Sequence, residues 1–106
     1  LANFVGGSAL NKELYKQCDY VFTDPPYGET IQYSELSYVW NSWLKEKYAY
    51  KEEIIINPVQ HKGTKEFNAL LDVSLSNIYS CLKEDGYFTL CFANKEFNVW
   101  KEILVH

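Results

Sequence analysis

An α/β fold with a mainly parallel sheet is the expectation, and two observations carry it. Short apolar β-rich runs, "DYVFTD" and "YFTLCFA", alternate with longer stretches of helical periodicity. Neither run alternates polar and apolar residues, as expected of strands covered on both faces. The first run also stops at two consecutive prolines, which end a hydrogen-bonded ladder.

The elements follow in order. "FVG" at residues 4–6 reads as the end of a short strand, with Gly6 and Gly7 opening a turn. "SALNKELYKQ" reads as a helix capped by Ser8, with Leu10, Leu14 and Tyr15 on its apolar side. Residues 20–23 form a buried strand. "YSELSYVWNSWLK" reads as one amphipathic helix, because Leu36, Val39, Trp40, Trp43 and Leu44 repeat at helical spacing. That spacing assigns Trp40 and Trp43 to the core; an aromatic platform for single-stranded bases is the alternative. "KEKYAYKEE" has mixed charge and reads as a solvated face. "IIINP" is a short strand or extended arm ending at Pro58, and "VQHKG" is loop.

A second long helix begins at Thr64 and turns Phe67, Leu70, Leu71, Leu75, Ile78 and Leu82 to one side. "KEDG" closes it, with Gly86 in a left-handed turn. Residues 87–93 form the next buried strand, expected to lie parallel to 20–23 through a right-handed crossover. Asn94 caps a last helix carrying Phe97, Trp100, Ile103 and Leu104.

Composition narrows the function. Hydrophobic residues make up 47% of the 106 residues and charged residues 23%, a globular balance. The net charge of −4 is wrong for a free-standing nucleic-acid binder, which needs clustered cations. Any phosphate contacts are expected from elsewhere. The cysteines, Cys18, Cys81 and Cys91, have no zinc-ligand spacing, and their odd count suits a reducing, cytoplasmic compartment. No apolar run reaches membrane-spanning length, so no membrane partner is expected. The chain lacks Met, begins at Leu1 and ends in a running helical pattern, so it reads as a piece of a longer protein.

"DPPYG" carries the chemistry. In α/β sheets ligands gather beyond the carboxyl ends of strands, and Asp24 to Tyr27 follow the first strand directly. Pro25 and Pro26 hold a rigid turn whose carbonyl oxygens stay free. Asp24 adds a carboxylate acceptor and Tyr27 a flat ring. Acceptors beside a ring suit a planar group bearing N–H donors, such as a nucleobase amine swung out of its helix. The bland reading is a proline turn with Asp24 as a local cap. Tyr33 and Glu35, just after the motif, are the next binding candidates. His61 lies in a polar loop with no metal-ligand pattern.

These residues resemble the DPPY motif of the amino-methyltransferases, which methylate adenine N6 or cytosine N4 in DNA with S-adenosylmethionine. "CLKEDGYFTLCFA" is similar to that family's later turn and strand, and "GGSALNKEL" to the segment before the motif strand. "YSELSYVWNSWLK" is similar to the helix after the motif in a subgroup of large DNA methylases. The resemblance implies that residues 1–106 are part of a Rossmann-like methyltransferase catalytic domain. It implies that Asp24 and the Pro25 carbonyl accept from the target amine and that Tyr27 stacks on the base. Pro26 completes the motif. Ser8 falls where the family often has an acidic residue near the cofactor adenine, and Asp24 borders the cofactor too. The family's glycine-rich cofactor loop has no counterpart here. The chain alone is therefore expected to be inactive and to self-associate through an open sheet edge, with DNA a partner of the complete protein. Asp24 favours adenine as target. RNA base methylation, protein amide methylation and an inactive interaction module are the alternatives.

Overall fold

The computed structural model describes residues 1–105, without the side chain of Glu102. Among the described residues there are two parallel strands and four α-helices. Strand β1 spans Cys18–Thr23 and leads into the DPPYG turn. Two short helices follow, α1 at Tyr33–Leu36 and α2 at Tyr38–Leu44. The long helix α3 covers Thr64–Cys81 and runs straight into β2, Leu82–Leu90. Helix α4 is Phe97–Val105.

The strands pair in parallel, with Tyr20 opposite Tyr87 and Thr23 opposite Leu90, as expected, but they are not buried on both faces: Tyr20, Phe22 and Tyr87 are exposed, because only the face carrying Val21 packs against the core. The ladder runs one bond past β2, where the Cys91 amide donates to the Thr23 carbonyl at 2.9 Å. The strand pair and α3 shape the core. Phe67, Leu71, Leu75 and Ile78 are buried at helical spacing and pack with Ile54 and Val99. Val21, Leu82 and Phe92 close over them. Each such side chain contributes about 1.5–3 kcal/mol by leaving water.

Several local expectations are corrected. Residues 4–6 form no strand, and Phe4 and Val5 are exposed. The helix expected at 8–17 shrinks to one 3₁₀ turn at Lys12–Leu14, capped by Asn11 rather than Ser8. Ten residues, of which only Leu10 and Tyr15 pack against the core, gain too little from burial to propagate a helix. "IIINP" is irregular, because its one long-range ladder-like bond, Ile56 amide to Gly28 carbonyl at 3.2 Å, is a clamp on the DPPYG turn. The helix after the motif breaks at Ser37, whose hydroxyl donates to the Tyr33 carbonyl. Its apolar side is not core: Trp40 is 61% and Trp43 72% exposed, resting edge to face on each other.

Helix α3 starts from Gly63, not from a Thr64 cap, and Glu66 reaches back to the Gly63 amide at 2.9 Å. Gly86 takes no left-handed turn. Leu82 is already extended, so the chain leaves the helix directly as strand, and Gly86 lies inside β2. A Cβ there would stand 3.0 Å from the Lys83 carbonyl oxygen and 3.2 Å from that of Asp19. Close backbone approach is what requires the glycine.

Candidate functional site

The turn after β1 is held from two sides. Asn94 donates from Nδ2 to the Tyr27 carbonyl at 2.6 Å, and Ile56 donates to the Gly28 carbonyl. Trp100 in turn donates from Nε1 to the Asn94 carbonyl at 2.7 Å. Gly28 is buried and adopts φ +98°, a conformation open to glycine at little cost. The prolines begin the turn, the glycine ends it, and the segments at 54–56 and 92–100 lock it in place.

Asp24 is exposed, and the Tyr27 hydroxyl donates to its Oδ1 at 2.6 Å. That bond raises the Tyr27 pKa, since ionising the phenol would lose the bond and face a carboxylate. The Tyr27 ring meets Phe92 edge to face at 5.6 Å, and Phe92 meets Trp100 the same way at 5.2 Å. Tyr27 thus fixes one carboxylate oxygen and leaves Oδ2 without an intramolecular hydrogen bond in the same pair.

An open cavity of about 650 Å³ lies beside this turn. Asp24 and Pro26 form one wall, Gly7, Ser8 and Ala9 another, and Tyr33 and Tyr48 supply rings. Four of the expected residues, Ser8, Asp24, Pro26 and Tyr33, therefore border one space. Pro25 and Tyr27 are not in the lining, though the Tyr27 hydroxyl holds the lining carboxylate of Asp24. Ser8 Oγ accepts from the Leu10 amide at 3.2 Å, which orients its hydroxyl oxygen. Glu35 is not part of the lining; its Oε1 accepts from Asn57 Nδ2 at 3.2 Å and helps fasten α1 to the 57–62 loop.

The remaining lining, apart from Ile54, comes from the segment read as a solvated face: Lys47, Tyr48, Ala49, Glu52 and Glu53. Glu53 is buried, and its carboxylate accepts from the Ser34 amide at 3.0 Å and from Gln60 Nε2 at 3.0 Å. Tyr48 donates to the same group at 3.4 Å, and burial with that neighbouring carboxylate pushes the phenol's pKa up. Lys62 is buried beneath, donating to the carbonyls of Tyr50 and Glu53. Desolvation lowers its pKa, and the nearby Glu53 charge partly opposes this. Two oppositely charged buried residues nine positions apart, on either side of an isoleucine run, are the sequence signal for this floor.

The geometry defines an α/β domain with an aromatic, carboxylate-bearing cavity at the carboxyl end of a parallel strand. No known protein family, characterised protein or solved structure matches the chain. Among the described residues, no helix is long and apolar enough to cross a membrane.

Proposed function

We propose that this chain carries the target-amine side of an S-adenosylmethionine-dependent methyltransferase acting on an exocyclic base amine in DNA, adenine N6 in preference. One observation carries the reading. Asp24 and Pro26 leave the carboxyl end of a parallel strand and border a cavity that Ser8 and Tyr33 also line. The wider sheet of a Rossmann-like methyltransferase belongs to the same proposal.

The lining fits the cofactor's chemistry. Its ammonium and ribose hydroxyls suit the carboxylates of Asp24 and Glu52, its carboxylate suits Lys47, and its adenine suits a tyrosine face. When bound, it supplies an electrophilic methyl group on sulfur. The chain's own residues act on the acceptor. Asp24 Oδ2 and the Pro25 carbonyl accept the amine hydrogens, raising electron density on nitrogen. The Tyr27 hydroxyl holds Asp24 at the angle that directs the nitrogen lone pair. Tyr33, which lines the cavity, borders the base plane, and Tyr27 acts on the base through Asp24 unless its ring turns away from Phe92 to stack. This is positioning and electrostatics rather than strong base catalysis. The charge of −4 leaves most phosphate contacts to other parts of a complete protein. Three free cysteines suit a reducing, cytoplasmic setting.

Labelled methyl transfer to unmodified duplex and single-stranded DNA, using the product of the complete reading frame, tests the proposal. Label is expected on adenine, and Asp24→Ala should lower the rate by about two to three powers of ten. An Asp24→Ala protein as active as the parent would overturn the assignment of Asp24. Label on RNA alone would move the substrate class. No label on either would favour an interaction module, a reading supported by the exposed Trp40 and Trp43 on α2.

A further inference from the structure

We propose that Cys18 and Cys81 form a thiol–disulfide redox pair that locks the start of β1 to the end of α3. Their Sγ atoms lie 3.8 Å apart, although 63 positions separate them in sequence. Cys18 opens β1 and is half-buried; Cys81 is the last residue of α3 and is buried. The backbone holds them side by side, because Cys18 pairs with Leu82 in the parallel ladder. A disulfide needs an S–S distance near 2.05 Å, so the sulfurs must close by roughly 2 Å. A shift of that size is on the scale of a side-chain rotation, and the neighbouring Cys18–Leu82 pairing keeps the two backbones together. Among the described residues, no cluster of three or more His, Cys, Asp or Glu could hold a metal there instead.

The two thiols are unequal, which sets the order of events. Cys81 is held in its protonated form by burial and by its contact with Cys18. Cys18 is the more accessible and attacks first. Its thiolate takes one sulfur of a small disulfide such as oxidised glutathione, forming a mixed disulfide and releasing one glutathione thiolate. Cys81 gives up its proton and attacks the Cys18 sulfur, forming the internal bond and releasing the second glutathione. Two protein thiols are oxidised and one glutathione disulfide is reduced to two thiols. Cys91 is the internal control. Its backbone joins the other end of the strand pair, beside Thr23, and its thiol should remain free.

The register of the sheet is irregular between Cys18 and Tyr20, so the bond would pin the least regular part of the ladder. This inference does not depend on the proposed function.

The test is equilibration with graded mixtures of oxidised and reduced glutathione, acid quenching, alkylation after denaturation and peptide mapping by mass spectrometry. The expected product is about 2 Da lighter before alkylation, takes a single alkyl group on Cys91 and yields a Cys18–Cys81 linked peptide. Cys81→Ser should instead retain glutathione on Cys18, while Cys91→Ser should leave the internal bond unchanged. Three alkylated cysteines at every ratio would overturn the proposal. So would a bond to Cys91, or links found only between two chains. Because the wild-type map decides the matter, a variant that fails to fold leaves the test intact.

Discussion

Replacing Gly28 with alanine probes the geometry that presents the DPPYG turn. At φ +98° a side chain meets backbone strain of about 1–2 kcal/mol. The new Cβ would also stand 2.8 Å from Asn94 Nδ2 and 3.4 Å from Ile56 Cδ1. Asn94 must move, and its 2.6 Å bond to the Tyr27 carbonyl is lost, a further cost of about 0.5–1.5 kcal/mol. The stiffer unfolded chain returns about 0.4–1 kcal/mol. The net destabilisation is about 0.5–3 kcal/mol. Urea unfolding should show a lower midpoint with an unchanged slope. Because both residues meet in one clash, Gly28→Ala with Asn94→Ala should cost less than the sum of the single changes. A Gly28→Ala protein within about 0.5 kcal/mol of the parent would refute this account of the turn, as would strict additivity in the double variant.

Tyr27 should ionise above the ordinary phenol range, followed by ultraviolet absorbance against pH. The folded state retains this proton longer than the unfolded state, so the contribution is full below the unfolded pKa and is lost as pH rises through the folded one. Tyr27→Phe should remove this late-ionising component while leaving that of Tyr48, and should slow methyl transfer less than Tyr27→Ala, since the ring stays while Asp24 loses its partner. Oxidation of the Cys18–Cys81 pair closes a loop of 63 positions and should stabilise the chain by about 4 kcal/mol in the chain-entropy account, measured by urea unfolding with and without reductant. The chain alone should bind S-adenosylmethionine more weakly than micromolar by calorimetry, since neither strand is followed by a glycine-rich loop; tighter binding would show that Gly7, Ser8 and Ala9 suffice.

The parallel strand pair and the buried side of α3 were legible because their signals are local and agree with their surroundings. Val21 and Phe22 sit in an unbroken apolar run, and Phe67, Leu71, Leu75 and Ile78 keep helical spacing. The turn at Asp24–Gly28 was legible from its prolines. What failed depended on partners distant in sequence. Trp40 and Trp43 have the period of a core helix, but period alone does not place a second surface against them. The isoleucines at 54–56 have β propensity, yet their position is set by Gly28 and α3 rather than by a neighbouring strand. The Lys47–Glu53 wall was hidden by its charge. Only the fold brings the Ser34 amide, Gln60 and Tyr48 to Glu53 and makes a charged residue worth burying.

The long reach of the strand pairing has a consequence for how the chain is made. Tyr20 and Thr89, joined by a 2.9 Å hydrogen bond across the sheet, are 69 positions apart. Closing a loop of that length costs about 4 kcal/mol of chain entropy before any pairing is gained. Helix α3 draws on contacts within its own turns and is free to form earlier. During synthesis at about 5–20 residues per second, β1 leaves the ribosome roughly 3–14 s before its partner does. Through that interval Val21 and Phe22 belong to an unpaired apolar strand, and the turn carrying Asp24 has neither Asn94 nor Trp100 to hold it. The candidate site is thus among the last features of the newborn chain to take shape, and its apolar lead-in stays exposed until β2 arrives.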